Sequence, residues 1–348
     1  MQHIIYSNNL SEAIGQALDS LGQYNRLFLI TDSNVQSCVL PSIALPAHTR
    51  IVLQPGDAHK ELAAVAAVWQ QLSDGGATRS SVVINLGGGV VTDLGGFAAA
   101  TFKRGVRFIN VPTTLLGAVD AAVGGKTGFN FNGLKNEIGA FREAECVIIS
   151  SSLFATLPRV ELLSGYAEML KHALLKSSDC IGQILQYDID AGSHEALLPL
   201  LRESVEVKRA IVAQDPLESG LRRALNLGHT AGHAFESLAL HRGEPVPHGY
   251  AVAWGLIVEL VISHVLYGFP STDLYGIARF IYEHYGNCRL TCDDYPFLLH
   301  AMRHDKKSRD GELNFTLLRR PGDVAIDSVV DEENVKNALD IFRDMMHI

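Results

Sequence analysis

The sequence predicts an α/β domain over residues 1–150 followed by a mainly α-helical domain over residues 151–348. Three observations carry this reading. Short β-rich runs alternate with helical stretches through the first 150 residues, the spacing turns almost wholly helical after Ser151, and 348 residues is about two domains of ordinary size.

Residues 26–31 (RLFLIT), 49–53 (TRIVL), 81–86 (SVVINL), 107–111 (RFINV) and 146–149 (CVII) are short, apolar and β-branched, and each ends at turn residues. Helical patterns at 61–72 and 90–101 lie between them. That rhythm is the mark of βαβ units and a mostly parallel sheet covered on both faces. Such sheets bind ligands at the carboxyl ends of their strands, so the loops after these runs are where chemistry is sought. In the second half, residues 158–176, 195–213, 224–238, 248–267 and 271–285 show helical spacing. Residues 313–318 and 323–327 read as a hairpin, and Asp331 caps a last helix over 332–345. No linker of low complexity separates the halves, so a cleft is expected at their seam.

Composition excludes several classes of function. With 29 Lys and Arg against 38 Asp and Glu, net charge −9 and no basic tract, a nucleic-acid binder is excluded. Five scattered cysteines fit a reducing cytoplasm better than a disulfide framework. MQHIIYSNNL lacks the basic and apolar regions of a signal peptide. Residues 250–269 approach membrane-spanning length but include Glu259 and His264, which makes them a buried helix of a soluble, cytoplasmic protein.

Three groups of residues are candidates for chemistry. The first is GGGVVTDLGG at 87–96, following a strand and opening a helix. It suits a tight strand-to-helix turn, or a pyrophosphate resting on free helix N–H groups. It is not the GxGxxG fingerprint. The other strand ends, Thr31-Asp32-Ser33-Asn34 and Pro112-Thr113-Thr114, tip the balance toward a nucleotide. The second group is His229 and His233, four apart on one helical face, with His248 and Glu168 elsewhere. A carboxylate with two histidines is a catalytic zinc arrangement, although an isolated pair of helical histidines is more often structural and His172, His241 and His264 compete for the role. The third is a scatter of basic residues in apolar or glycine-rich settings: Lys126 in GGKTG, Lys135-Asn136, Lys171, Lys208, Arg222 four before Asn226, and Lys306-Lys307. Each alone suits a solvated charge, but Lys126 has the setting of an anion-binding loop, and convergence of the set would make a cationic pocket for a phosphate or carboxylate.

Taken together, GGGVVTDLGGFAAATFKRG, INVPTTLLGAVDAAVGGKTGFN, LKNEIGAF, GYAEMLKHALL, LRRALNLGHTAGHAFE, PHGYAVAWG and HDKK, in order over residues 87–307, resemble the 3-dehydroquinate synthase family of sugar phosphate cyclases. ITDSNV and PGDAHK extend the resemblance over nearly the whole chain. It implies a Rossmann-like domain binding NAD, a helical domain binding a divalent metal (zinc or cobalt), and a homodimer. Carried over by motif, it implies Glu168, His229 and His248 as metal ligands and His233 as a proton-relaying neighbour. Asp32, Asn34, Lys60, Gly88, Gly89, Asp93, Thr113, Thr114, Thr156 and Glu161 fall on NAD-contacting segments. Asp120, Lys126 and Lys171 take catalytic roles beside His233, while Lys135, Asn136, Lys208, Arg222, Asn226 and Lys306 contact substrate. Arg104 matches an arginine that reaches the substrate phosphate from the neighbouring subunit.

The implied reaction converts 3-deoxy-D-arabino-heptulosonate 7-phosphate to 3-dehydroquinate and phosphate, in the shikimate pathway of aromatic amino acid biosynthesis. A hydroxyl is oxidised, phosphate is lost, the ketone is reduced again, and the opened ring closes by an aldol step. Two departures from the family pattern stand out. His248-Gly249 is followed by Tyr250 rather than glutamate, and Pro55-Gly56 by Asp57 rather than glutamate. The competing readings are another sugar phosphate cyclase and a metal-dependent polyol dehydrogenase. Arg222 with Lys208 and Asn226 favours a substrate bearing a carboxylate.

Overall fold

In the computed structural model, which describes residues 2–304 and 311–347, the strands in chain order are β1 (Ile4–Tyr6), β2 (Leu27–Asp32), β3 (Thr49–Leu53), β4 (Val82–Gly87), β5 (Arg107–Pro112), β6 (Lys126–Phe131), β7 (Leu134–Phe141), β8 (Cys146–Ile149), β9 (Asn314–Arg320) and β10 (Asp323–Val329). The helices are α1 (Leu10–Ser20), α2 (Ser33–Cys38), α3 (Leu62–Asp74), α4 (Gly89–Thr101), α5 (Arg159–Leu174), α6 (Ser178–Gln186) and α7 (His194–Gln214). They continue with α8 (His229–His241), α9 (His248–Tyr267), α10 (Ser271–Tyr285), α11 (Tyr295–Arg303) and α12 (Glu332–Met345). The chain divides into two compact units. One runs to Pro158 and takes in Ser193–Val205; the other holds Arg159–Gly192 and everything from Glu206. This differs from a division at residue 150. The Ser150 and Ser151 hydroxyls donate to Asn8, and the Arg202 guanidinium lies 4.6 Å from the Tyr6 ring centre, so both segments belong with the first strand.

The first unit is built on a parallel sheet in the order β1-β8-β5-β4-β2-β3. The five predicted strands are all in it, and β1 adds an edge. β2 and β4 are buried throughout, as strands covered on both faces must be. The chain leaves β2 toward β3 on one side and β4 toward β5 on the other, which opens a crevice where their carboxyl ends diverge. Helix α4 lies almost directly on the sheet. A Cβ on Gly95 would stand 2.2 Å from Asn85 Oδ1, and one on Gly96 would stand 2.7 Å from Thr127 Cγ2. The glycines after β4 therefore serve packing as well as any ligand.

GGKTG is a glycine turn that runs into a strand: Gly124 and Gly125 turn with φ of 100° and 69°, and Lys126 then begins β6. LKNEIGAF is the antiparallel partner β7, joined to β6 by Asn132-Gly133 at φ of 51° and 78°. Two consecutive positive φ values are what a tight hairpin matched to strand twist requires, and Asn-Gly supplies them at least cost.

In the second unit the continuous helix expected over 224–238 is broken. Leu221–Asn226 forms a 3₁₀ turn, Gly228 turns left-handed at φ 78°, and α8 starts only at His229. The predicted hairpin is β9–β10. Helix α9 is long and apolar enough to cross a membrane, yet 78% of its most apolar window is buried inside the fold. It approaches α8 and α5 at backbone distance: a Cβ on Gly255 would stand 2.1 Å from the Gly228 carbonyl, and one on Gly249 would stand 2.0 Å from the Ser164 carbonyl. Gly255→Ala is therefore expected to lower stability by about 1–3 kcal/mol in chemical denaturation followed by circular dichroism. Gly276→Ala in α10 would meet nothing nearer than Leu185 Cδ1 at 3.8 Å. It should leave stability unchanged or raise it by up to about 1 kcal/mol.

Candidate active site

Helices α5, α8 and α9 each bring one ligand-type side chain to a common point of the second unit. Glu168 sits midway along α5, while His229 and His248 open α8 and α9. Their ligand atoms lie within 4.8 Å of one another. His229 Nε2 is 3.5 Å and His248 Nε2 is 3.7 Å from the same oxygen, Glu168 Oε1. The other ring nitrogens face acceptors: His229 Nδ1 lies 3.1 Å from the Leu227 carbonyl, and His248 Nδ1 lies 3.5 Å from Glu236 Oε2. With a cation at the common point and the proton kept on Nδ1, each Nε2 would offer its lone pair there, which is how ligating imidazoles are held.

Glu168 is fully buried, and neither of its oxygens accepts a hydrogen bond, although the Lys171 ammonium ion-pairs with Oε2. Burial alone would raise its pKa, but Lys171 and the neighbouring imidazoles outweigh that and hold the carboxyl well below its usual range. Burial works against a charged His248, yet Glu168 and Glu236 push its pKa up to about 9. A buried anion, two convergent imidazole nitrogens and no hydrogen bond on the carboxylate together fit a divalent cation, and the donor set suits zinc and cobalt alike. His233 stands beside the trio, its ring 5.4 Å from that of His229 and 5.9 Å from that of His248. Sequence reading missed Glu236. The signal was present, since it ends the same HTAGHAFE run one turn after His233.

Other candidates in this unit are held firmly. Lys171 and Lys208 are buried, at 1% and 6% exposure. Arg222 is 2% exposed, and its Nη1 donates to the Pro216 carbonyl at 2.7 Å. Asp215 organises that loop, accepting from the backbone N–H groups of Ser219, Gly220 and Arg222 at 2.9, 2.7 and 3.0 Å. Asn226 ends the 3₁₀ turn half-buried, and Glu161 lies exposed in the first turn of α5. Lys306 lies outside the described residues. Tyr250 turns to an aromatic cluster, its ring 5.0 Å from Tyr285 and 6.2 Å from Trp254.

In the first unit, Asp32, Gly88 and Thr113 sit at the carboxyl ends of the neighbouring strands β2, β4 and β5. Asp32 Oδ1 caps α2 through the N–H groups of Asn34 and Val35, and Asn34 itself is exposed. Gly88 and Gly89 begin α4, which has no side-chain cap. A Cβ on Gly88 would press to 3.0 Å from Thr114 Cγ2, and Thr114 Oγ1 accepts from the Gly117 N–H at 3.0 Å. Lys60 is 4% exposed and donates to Asp93 Oδ2 at 2.6 Å and Asn136 Oδ1 at 2.5 Å. One buried ammonium thus ties α4 to the β6–β7 hairpin. Lys135 is 3.7 Å from Asp57, whose carboxylate also accepts from Asn130, so Asp57 is engaged by the hairpin. Asp120 lies half-buried in the π-helical turn Gly117–Ala121. Lys126, Thr156 and Arg104 are exposed, and Arg104 follows Lys103 in a run of positive φ.

Comparison with known proteins identifies the lineage. The 3-dehydroquinate synthase N-terminal and C-terminal family profiles match residues 50–164 and 165–308. A 3-dehydroquinate synthase of Parabacteroides distasonis is 45% identical over 351 aligned positions, covering 100% of this chain and 99% of the relative. The chain belongs to the 3-dehydroquinate synthase family. Among solved structures, the 2-epi-5-epi-valiolone synthase ValA of Streptomyces hygroscopicus subsp. jinggangensis 5008, with NAD⁺ and Zn²⁺ bound, is similar at TM-score 0.83 and 26% identity, covering 99% of this chain and 97% of that one. A 2-deoxy-scyllo-inosose synthase complexed with carbaglucose-6-phosphate, NAD⁺ and Co²⁺ shares the fold at TM-score 0.84 and 22% identity, covering 98% and 96%.

The Asp215 carboxyl is held well below the usual range, chiefly by the Arg222 backbone N–H, with burial opposing and Gly220 and Ser219 adding. A lowered folded pKa stabilises fully above the unfolded value, about 3.9, and that stabilisation is lost as pH falls through the folded value. Asp215→Asn should therefore unfold more easily at pH 7, with the difference closing below about pH 4. A difference independent of pH in urea titrations would contradict this account.

Proposed function

We propose that the chain converts 3-deoxy-D-arabino-heptulosonate 7-phosphate to 3-dehydroquinate and phosphate, as a carbon–oxygen lyase of the shikimate pathway in the cytoplasm. One observation carries the reading: Glu168, His229 and His248 converge within 4.8 Å in a chain that matches a 3-dehydroquinate synthase end to end. Those three residues would hold a divalent metal, zinc or cobalt. Asp32, Asn34, Lys60, Gly88, Gly89, Asp93, Thr113, Thr114, Thr156 and Glu161 are assigned to NAD. When bound, the nicotinamide accepts and returns a hydride while the cation polarises substrate oxygens.

The remaining roles belong to side chains of this protein. Lys126, Lys135, Asn136 and Lys306 hold the phosphate, joined in a homodimer by the partner subunit's Arg104. Arg222, with Lys208 and Asn226, takes the carboxylate. The Pro216 carbonyl on its Nη1 fixes the plane of the guanidinium, and a planar fork is what a carboxylate requires. Asp120, Lys126, Lys171 and His233 move protons, with the His233 ring placed beside those of His229 and His248 to relay them.

The test is turnover. Protein supplied with metal, the heptulosonate phosphate and a catalytic quantity of NAD⁺ should release phosphate in step with dehydroquinate. No phosphate release, or NADH accumulating in proportion to substrate, would sink the reading. Lys126→Ala should lower kcat by about 10²-fold or more while calorimetry shows little change in NAD affinity. Chelation should abolish turnover, and zinc or cobalt should restore it.

A further inference from the structure

We propose that Glu259 is a positioning residue for the metal site, clamping the turn that presents His229. The inference rests on reading Glu168, His229 and His248 as metal ligands. Glu259 lies about three turns along α9 from His248 and is fully buried. Its Oε2 accepts from the Gly228 N–H at 2.6 Å and its Oε1 from the Ala231 N–H at 3.2 Å. These two donors bracket His229 in the chain. They belong to the first turn of α8, where backbone N–H groups have no partner within the helix and where a negative charge is favoured.

Residue 228, which occupies the cap position, has no side chain with which to cap the helix. Gly228 stands at φ 78°, and a Cβ there would come within 2.7 Å of Leu256 Cδ2. The cap is therefore supplied from the neighbouring helix, by a carboxylate whose burial would be costly without those donors. A single rigid helix thus carries His248 at its first turn and fixes the turn bearing His229 farther along. Movement of the Gly228–Ala231 turn would displace His229 Nε2 from Glu168, to which it now stands 3.5 Å away. Glutamine cannot replace this group, because it keeps one acceptor oxygen and turns an N–H₂ toward a backbone N–H.

The experiment compares the unaltered protein with Glu259→Gln, Glu259→Asp and Leu260→Ala, the last removing a fully buried side chain from the same helix. Zinc affinity is read by chelator competition, the visible spectrum with cobalt bound, and amide exchange of Gly228 and Ala231 without metal. Glu259→Gln should weaken zinc binding by about tenfold or more, alter the cobalt spectrum and speed exchange at both amides. Glu259→Asp, which keeps the charge on a shorter stem, should recover part of the affinity. Leu260→Ala should lower Tm yet leave zinc affinity within about twofold, because a general loss of stability does not move the ligand.

Zinc affinity of Glu259→Gln within about twofold of the unaltered protein, or an equal loss in Leu260→Ala, would overturn the proposal. If Glu259→Gln does not fold, Glu259→Asp decides against Leu260→Ala: weaker zinc binding in the first supports the clamp, and equal binding refutes it. Failure of the unaltered protein to bind zinc would refute the metal reading instead. In that case the exchange of the Gly228 and Ala231 amides still shows whether Glu259 holds the turn.

Discussion

The second unit depends on α8 and α9 approaching at backbone distance. Side chains normally keep packed helices about 8–10 Å apart. Here Gly255 faces the Gly228 carbonyl and the Gly232 N–H where a methyl group would lie 2.1 and 2.5 Å away, and Gly232 in turn faces the Ala251 carbonyl. Gly249 does the same against Ser164 of α5, whose hydroxyl accepts the Gly249 N–H at 3.1 Å. The glycines are spaced so that α9 touches α5 at its start and α8 farther on. These contacts hold the beginnings of α8 and α9 close to the middle of α5. His229, His248 and Glu168 stand at those three places.

The first unit has the same logic with different chemistry. Gly95 seats α4 on the sheet and Gly96 seats it against β6, which leaves its uncapped start beside the ends of β4 and β5. Lys60 then fixes the far side by pairing with Asp93 on α4 and Asn136 on β7. Burying an ammonium is costly without such partners, so Lys60, Asp93 and Asn136 form one structural element. Any nucleotide contact by Lys60 or Asp93 must be made from within that pairing.

The elements that could be read from the sequence were those whose burial repeats along the chain. The β-branched strands and the long apolar run of α9 announce themselves by composition and length. The β6–β7 hairpin did not, because its second strand is mostly exposed and carries Lys135, Asn136 and Glu137 instead of alternating apolar residues. Its one strong signal, Asn132-Gly133, lies outside the glycine-rich stretches that suggested ligand loops. The break before α8 was hidden for a related reason. Apolar residues continue on both sides of Gly228, and the left-handed turn there, with no room for a side chain beside Leu256, is a tertiary feature that local spacing does not show. Glu236 had a signal in its place one turn after His233, whereas nothing in the sequence around Glu259 shows that it accepts the Gly228 and Ala231 N–H groups of a neighbouring helix.

Hydrogen bonding separates Glu168 from the other buried carboxylates of the described residues. Among the described residues, Asp32, Glu168, Asp215 and Glu259 are the buried acids. Three of them face helix or loop starts and accept backbone N–H groups: Asp32 from Asn34 and Val35, Asp215 from Ser219, Gly220 and Arg222, and Glu259 from Gly228 and Ala231. Such bonds replace the water lost on burial, which is why those carboxylates are tolerated. Glu168 accepts none, and the charges around it are an ammonium and two imidazoles aimed at its oxygens. A carboxylate whose surroundings offer positive charge and open lone pairs, without backbone donors, is arranged for a cation. The same test passes over Asp32, Asp215 and Glu259, so among the buried acids of the described residues only Glu168 has surroundings that suit a cation.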